Sequence, residues 1–208
     1  MSRIDISNYL VHFTKGQSAF DNFRSIINQK TLIGGTGFIK GKQECICFTE
    51  APLHALQDIL DQSDAHSFRY APFGIIIKKD WLFKQGGRPV IYQTKEEGDK
   101  LPAELWWRHV TYDPIADNPV DFTWEREWRV KTDKLEICPD NAILVVPGVD
   151  ELRGVCEAHD IADSIPDDLF DRLDDTIPLN ATIDGENWTV ILVRNPPNGW
   201  SGLDVDLE

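Results

Sequence analysis

The segment over residues 124–130, WEREWRV, constrains the fold of this chain more than any other stretch. Charged residues alternate in it with Trp and Val, which indicates a β-strand whose successive side chains point to opposite faces. Such a strand would place Glu125, Glu127 and Arg129 on one face. Burying this group is costly unless every charge is paired. The segment is therefore a solvated strand face, a cross-strand ladder of salt bridges, or a functional site.

The charge of the chain is distributed unevenly. Residues 1–132 carry 17 Lys and Arg against 17 Asp and Glu, whereas residues 133–208 carry 4 against 18. The net charge of −14 therefore comes from the last third, and such an acidic surface suits solubility or a basic partner. We predict a core over residues 1–132 and an acidic part over residues 133–208 that completes or extends the same domain.

Several classes of protein are disfavoured by composition. No apolar run approaches the roughly 18 residues of a membrane span, and the amino terminus lacks the pattern of a signal peptide. The cysteines lack metal-ligand spacing, and the aspartate-rich run over residues 160–175 lacks the pattern of a calcium-binding loop. We expect a cytoplasmic protein with reduced thiols, no metal and no membrane contact.

Apolar periodicity predicts an α+β fold with mixed or antiparallel sheets. Strands are expected over residues 8–14, 45–49, 75–77, 88–93, 124–130, 142–146 and 188–193. Helices are expected over residues 19–29, capped by Ser18, and over 53–63, 78–83, 105–107 and 150–158. The glycine-rich segment over residues 31–42 is read as an ordinary loop, because its glycines do not match a dinucleotide fingerprint.

Motifs over residues 9–130 resemble those of the AbiGi-type abortive-infection antitoxin family and of related bacterial proteins with HFT and E-x-E-W-R signatures. The matching pieces are, in chain order, LVHFT, CFTEAPL, YAPFGIIIKKDWL, GRPVIY and EREWRV. The resemblance implies a bacterial protein of phage defence or of a toxin–antitoxin system.

A more distant similarity links the chain to ADP-ribosyltransferases of the DarT type. Those enzymes also begin with a strand bearing His-Phe-Thr and end their catalytic core on a strand with a Glu, here Glu127. In place of the arginine that follows their second strand, this chain offers Glu50 or Arg69. The similarity implies split mixed or antiparallel sheets with flanking helices, and NAD as substrate.

The transferase similarity assigns the carboxylates. Cleaving the bond between nicotinamide and ribose develops positive charge on the sugar, which a carboxylate stabilises. Glu127 is predicted to take this role, and Glu125 to orient or deprotonate the acceptor. Arg129 is predicted to pair with Glu125 rather than to reach phosphate.

The similarity also implies residues that bind NAD. His12 would hydrogen-bond the adenosine ribose with Thr14 beside it, although a histidine in an apolar strand is also a common core residue. Tyr70 or Tyr92 would stack on nicotinamide. Glu50 is either a helix cap or a site residue. The remaining cations for the diphosphate are Arg69, Lys78 and Arg88.

Two functions are therefore expected from the sequence. The first is an NAD-dependent transfer of ADP-ribose to a nucleic-acid or protein acceptor. The second is a non-catalytic antitoxin or nucleotide-binding module that acts by contact with a basic toxin partner through its acidic last third.

Overall fold

The computed structural model describes residues 7–50, 70–148, 151–152, 154–155, 157–161 and 176–193. The predicted helix over residues 53–63, the Arg69 side chain, most of the aspartate-rich run and the tail after residue 193 lie outside these ranges.

Most of the regular structure is β-strand. The strands are β1 (Tyr9–Lys15), β2 (Thr31–Ile33), β3 (Cys45–Thr49), β4 (Tyr70–Lys78), β5 (Arg88–Pro89), β6 (Ile91–Gln93), β7 (His109–Thr111), β8 (Glu127–Lys131), β9 (Lys134–Glu136), β10 (Ala142–Val146), β11 (Glu157–Ile161), β12 (Thr176–Ile183) and β13 (Glu186–Val193). The α-helices are α1 (Ala19–Gln29), α2 (Lys79–Lys84) and α3 (Lys95–Gly98). Short 3₁₀ turns span Lys40–Lys42, Ala103–Arg108 and Thr123–Glu125. No helix in the described ranges has the length and apolar character that a membrane crossing requires.

Nine strands form one mixed sheet in the order β11-β12-β13-β10-β4-β1-β3-β8-β5. The pair β10–β13 is parallel, and the other neighbours in this sheet are antiparallel. Two small sheets, β2–β9 and β6–β7, lie beside it. The predicted α+β class with mixed strand pairing is confirmed. Strands β10, β11, β12 and β13, from the last third of the chain, extend this sheet beyond β4.

Alternation along the strands gives the sheet two apolar faces. The larger cluster includes Leu10, Phe48 and Ile75 from the strands, together with Phe23 and Ile27 of α1. Phe23 and Ile27 are one helical turn apart, so α1 buries a single stripe against the sheet. The opposite face carries a second cluster. Its buried members are Tyr9, Val11, Phe13, Ile76, Val145 and Ile191.

Several of the predicted helices and strands agree with the structure. Helix α1 and strand β3 have the predicted bounds, and β1, β4, β10 and β13 contain or overlap the predicted strands. Ser18 occupies the N-cap position of α1, but its side chain makes no capping hydrogen bond. Lys30 ends α1 in the left-handed conformation, and its N–H donates to the carbonyls of Ile26 and Ile27.

Three predicted elements differ from the structure. The strand expected over residues 88–93 is divided into β5, which pairs with β8, and β6, which pairs with β7. The helix expected over residues 150–158 is wrong at its end, where β11 begins. The strand expected over residues 124–130 begins only at Glu127. Strand β12 was not expected, and its Pro178 and Asn180 weaken the strand pattern.

Candidate functional site

A cavity of about 840 Å³ opens on the face of β1, β3 and β8 that lies away from α1. Cross-strand pairing builds its floor, since Thr49 pairs with Glu127 and Cys47 pairs with Arg129. These side chains share one face, whereas Phe48 and Val130 point into the core under α1. The lining includes the predicted site residues His12, Tyr70, Glu125 and Glu127.

A sharp turn brings Glu125 and Glu127 to the same cavity. Glu125 ends a 3₁₀ turn, Arg126 is left-handed with φ 44°, and β8 starts at Glu127. A non-glycine residue in this region costs about 1–2 kcal/mol, so neighbouring bonds must hold the turn. The Thr49 hydroxyl donates to the Glu125 carbonyl at 2.5 Å, and the Glu127 N–H donates to the Tyr92 hydroxyl at 3.0 Å. The two carboxylates therefore meet through a turn, not through one strand face.

Glu127 is held by a two-point ion pair with Arg129. Nε of Arg129 lies 2.8 Å from Oε1 of Glu127, and Nη2 lies 3.1 Å from Oε2. Nη1 of the same guanidinium donates to the carbonyls of Trp107 at 2.8 Å and of His109 at 3.2 Å. The predicted pairing of Arg129 with Glu125 is thus wrong. The planar, bidentate geometry fixes the orientation of the carboxylate in the cavity.

Glu125 lies in a different electrostatic environment. Its side chain is buried, and the Tyr70 hydroxyl donates to Oε1 at 3.2 Å. Burial, followed by the charge of Glu127, raises the pKa of Glu125 to about 7. Burial and the charges of Glu125 and Glu127 raise the pKa of Tyr70 well above its ordinary value, so its phenol stays a donor. The cavity therefore holds one paired carboxylate and one that can exchange a proton near neutral pH.

His12 borders the same cavity from β1, but strand alternation places it on the α1 side with Leu10, and its ring packs edge-on against Phe48 with 5.7 Å between ring centres. In the sheet, β1 is paired with β3 at Val11 and Thr49, and beyond this pair Nδ1 of His12 lies 2.9 Å from the Cys47 carbonyl. A carbonyl only accepts, so Nδ1 carries the proton and Nε2 keeps its lone pair. Burial lowers the pKa of His12, which keeps the ring neutral. Nε2 is therefore the ring nitrogen of His12 that can accept a hydrogen bond.

The other predicted ligand contacts lie elsewhere. The Thr14 hydroxyl donates to the Phe73 carbonyl at 3.3 Å and does not line the cavity. Glu50 bonds Lys79 at 2.6 Å and the Trp128 indole N–H at 2.5 Å. Glu50 and Tyr92 line a separate cavity of about 360 Å³ beside Trp128. Tyr92 therefore contributes to the site by accepting the Glu127 N–H, and Arg69 lies outside the described residues.

The cations at the cavity differ from those expected. Arg88 stacks on Phe83, with 3.8 Å between its guanidinium carbon and the ring centre, and neither Arg88 nor Lys78 lines the cavity. Lys15, Lys40 and Lys95 do, and Lys40 is paired with Asp99. Lys15 directly follows the HFT motif, which was the available sequence signal. The lining also includes Phe38 from the glycine-rich segment that the sequence predicted to be an ordinary loop.

The thiols in the cavity are not reactive groups. Cys45 and Cys47 line it and are free. Burial and the charge of Glu127 raise the pKa of Cys47, which keeps the thiol protonated. Within the described ranges, no group of three His, Cys, Asp or Glu residues has the arrangement of a metal site.

Comparisons with known proteins do not assign this site. No family model, no curated protein and no solved structure matches the chain.

Proposed function

We propose that this chain is an NAD-dependent ADP-ribosyltransferase that transfers ADP-ribose to a nucleic-acid or protein acceptor. The observation that carries the proposal is the pair of buried carboxylates in one cavity, with Glu127 bound to Arg129 and Glu125 bound to Tyr70. Two carboxylates in different environments can have different roles, one stabilising a cation and the other accepting a proton.

The reaction needs little from the protein besides these groups. The bond between C1′ of the ribose and the nicotinamide nitrogen breaks, and its electron pair leaves with nicotinamide. The acceptor then donates an electron pair to C1′ and loses a proton. Glu127 stabilises the positive charge on the sugar, since Arg129 occupies only one lone pair of each of its oxygens. Glu125 takes the proton in its ionised form.

The remaining lining supports a dinucleotide as the substrate. Nε2 of neutral His12 offers an acceptor for a ribose hydroxyl, and Lys15 and Lys95 offer positive charge for the diphosphate. Tyr70, the one predicted stacking residue in this cavity, can contact the nicotinamide beside Glu125. A volume of about 840 Å³ is within the ordinary range of roughly 300–1,000 Å³ for ligand pockets.

The biological setting is proposed from the motifs. The HFT and E-x-E-W-R signatures resemble those of AbiGi-type abortive-infection proteins, so we place the activity in bacterial phage defence or a toxin–antitoxin system. The charge of the last third, 4 basic against 18 acidic residues, favours a basic protein partner. A nucleotide-binding antitoxin without transferase activity is the competing function.

The test is release of nicotinamide from NAD by the purified chain, with and without a bacterial lysate as acceptor source. Glu125→Gln should reduce release by roughly 10²–10⁴-fold, because general base catalysis contributes that much. The matched control is Glu136→Gln, which changes an exposed carboxylate on β9 and should leave release unchanged.

Labelled NAD then identifies the acceptor. Loss of label after nuclease treatment indicates nucleic acid, and loss after protease treatment indicates protein. If NAD binds but is not consumed in either condition, the antitoxin or nucleotide-binding function replaces the transferase. If NAD neither binds nor is consumed, the proposal of an NAD site is wrong.

A further inference from the structure

Phe38 is the most exposed large apolar side chain among those described, with 99% of its surface accessible. It lies in the glycine-rich segment between β2 and the 3₁₀ turn at Lys40–Lys42, and it lines the mouth of the large cavity. Ile115 is nearly as exposed, at 93%, but lies outside the cavity. Phe38 therefore combines full exposure with a position at the site.

The backbone that carries Phe38 is anchored on both sides. Gly35 and Cys45 exchange two hydrogen bonds of 3.0 Å, which ties the start of the segment to β3. The Ile39 N–H donates to the Thr36 carbonyl at 2.9 Å, closing a tight turn with Phe38 at its tip. Ile39 is itself buried against Cys45 and Trp107. The hydrogen-bonded turn and the buried Ile39 thus keep the Phe38 ring exposed to water.

The position of this turn along β3 relates it to the carboxylates. Gly35 bridges to Cys45, whereas Glu127 pairs with Thr49, four residues further along the same strand. Four residues of extended strand span roughly 13 Å. The turn and the carboxylates therefore lie at opposite ends of β3 along the same cavity. A ligand with its reacting ribose at Glu127 and its nicotinamide beside Tyr70 would bring its second base to the Phe38 turn.

We propose that Phe38 stacks on the adenine ring of the bound dinucleotide and thereby determines affinity for the adenosine half of the substrate. This inference depends on the proposed NAD site. It adds a residue and a specificity that the carboxylates do not supply, because Glu125 and Glu127 contact only the reacting half. The exposed ring has a physical role in this arrangement, since stacking removes apolar surface of both rings from water.

The test compares the dissociation constants of NAD and of ADP-ribose, which lacks nicotinamide, for the wild-type chain and for Phe38→Ala. Isothermal titration is suitable for both ligands. Phe38→Ala should weaken both ligands by the same factor of about ten, equivalent to about 1.4 kcal/mol. Phe38→Tyr should restore wild-type affinity. Ile115→Ala should change neither constant, because Ile115 is nearly as exposed as Phe38 but lies outside the cavity.

The outcomes separate this inference from the function on which it rests. Equal loss of NAD and ADP-ribose affinity, with an unchanged melting temperature, supports stacking on adenine. Loss of NAD affinity alone assigns the ring to nicotinamide, and no loss for either ligand shows that Phe38 stacks on neither base; both results overturn the inference while the NAD site stands. If the wild-type chain binds neither ligand, the NAD site and the inference are both wrong.

Discussion

Arg129 binds Glu127 through two parallel hydrogen bonds, although the two residues are only two positions apart on β8. Both residues are buried, with 6% of the surface of Arg129 and 9% of the surface of Glu127 exposed. The guanidinium also reaches the Trp107 and His109 carbonyls, so it joins the carboxylate to the segment that leads into β7. The orientation of the proposed catalytic carboxylate thus depends on the hydrogen bonds that Arg129 makes to these carbonyls.

Breaking this pair should cost stability. Glu127→Gln leaves the guanidinium buried without its counter-ion, which we expect to lower the free energy of unfolding by about 3–5 kcal/mol. The double variant Glu127→Leu with Arg129→Met should recover part of the loss, because no isolated charge remains. Urea denaturation measures both, with Glu136→Gln as the exposed control. A double variant no more stable than Glu127→Gln would contradict the ion-pair argument.

The raised pKa of Glu125 should make stability depend on pH. Its pKa is about 7 in the folded protein and about 4.5 as the model value for the unfolded chain. Between these values the folded state binds more protons, so this group lowers stability as pH rises from about 4.5 to 7. Glu125→Gln removes the ionisation and should be more stable than wild type above pH 7, by up to roughly 3 kcal/mol.

Chemical denaturation at pH 5 and pH 8 tests this prediction. The advantage of Glu125→Gln should be small at pH 5 and full at pH 8. Parallel stability curves for the two proteins would mean that Glu125 titrates at an ordinary value. Because this variant is expected to keep its fold, it tests catalysis more cleanly than Glu127→Gln.

Thr49 should hold the turn between the carboxylates. Thr49→Val keeps the shape of the side chain but removes the hydroxyl that donates to the Glu125 carbonyl at 2.5 Å. Leaving this buried acceptor without its donor should cost about 1–3 kcal/mol, and nicotinamide release should fall because Glu125 is less well oriented. Thr189→Val, on β13, is the matched control. Equal effects of the two substitutions on release would contradict the role of Thr49.

Adjacent glycines at the base of the Phe38 turn should respond differently to alanine. A Cβ on Gly34 would collide with the carbonyl oxygen of Thr132, whereas a Cβ on Gly35 would meet nothing within 4 Å. Backbone cannot yield as a side chain does, so Gly34→Ala should lower stability by about 1–3 kcal/mol. Gly35→Ala should have little effect. Thermal unfolding compares the two, and similar losses would mean that the close approach to Thr132 is not limiting.

The sequence pattern correctly predicted those helices and strands in which the spacing of apolar residues matches the buried face. Phe23 and Ile27 determine α1 because they recur at a helical interval, and Cys45–Thr49 forms β3 as a run of apolar and β-branched residues. The strand predicted over residues 124–130 was wrong before Glu127, because Arg126 adopts a left-handed conformation. The alternation of charged and apolar residues in the sequence gives no sign of this turn. The helix predicted at residue 157 failed because pairing with β12 determines β11.

The candidate site could be predicted only in part. The motifs around His12, Tyr70, Glu125 and Glu127 were visible, and these side chains line one cavity. Thr14 and Glu50 were also selected, but their polar groups bond the Phe73 carbonyl, Lys79 and Trp128 instead. Sequence does not show which face of a strand meets which partner. Phe38 was missed because exposure depends on the folded surface.

The sequence by itself determined the residues that carry charge and the main apolar faces, because these follow from residue type and from periods of 2 and 3.6 residues. Only the tertiary structure decided that Arg129 pairs with Glu127, that Tyr70 donates to Glu125, and that Phe38 stands at the cavity mouth. Tyr70 and Glu125 are 55 positions apart, and the local Arg129–Glu127 pair is held by the distant carbonyls of Trp107 and His109. Hydrogen-bond register and burial determine these contacts, and neither is a property of a single segment.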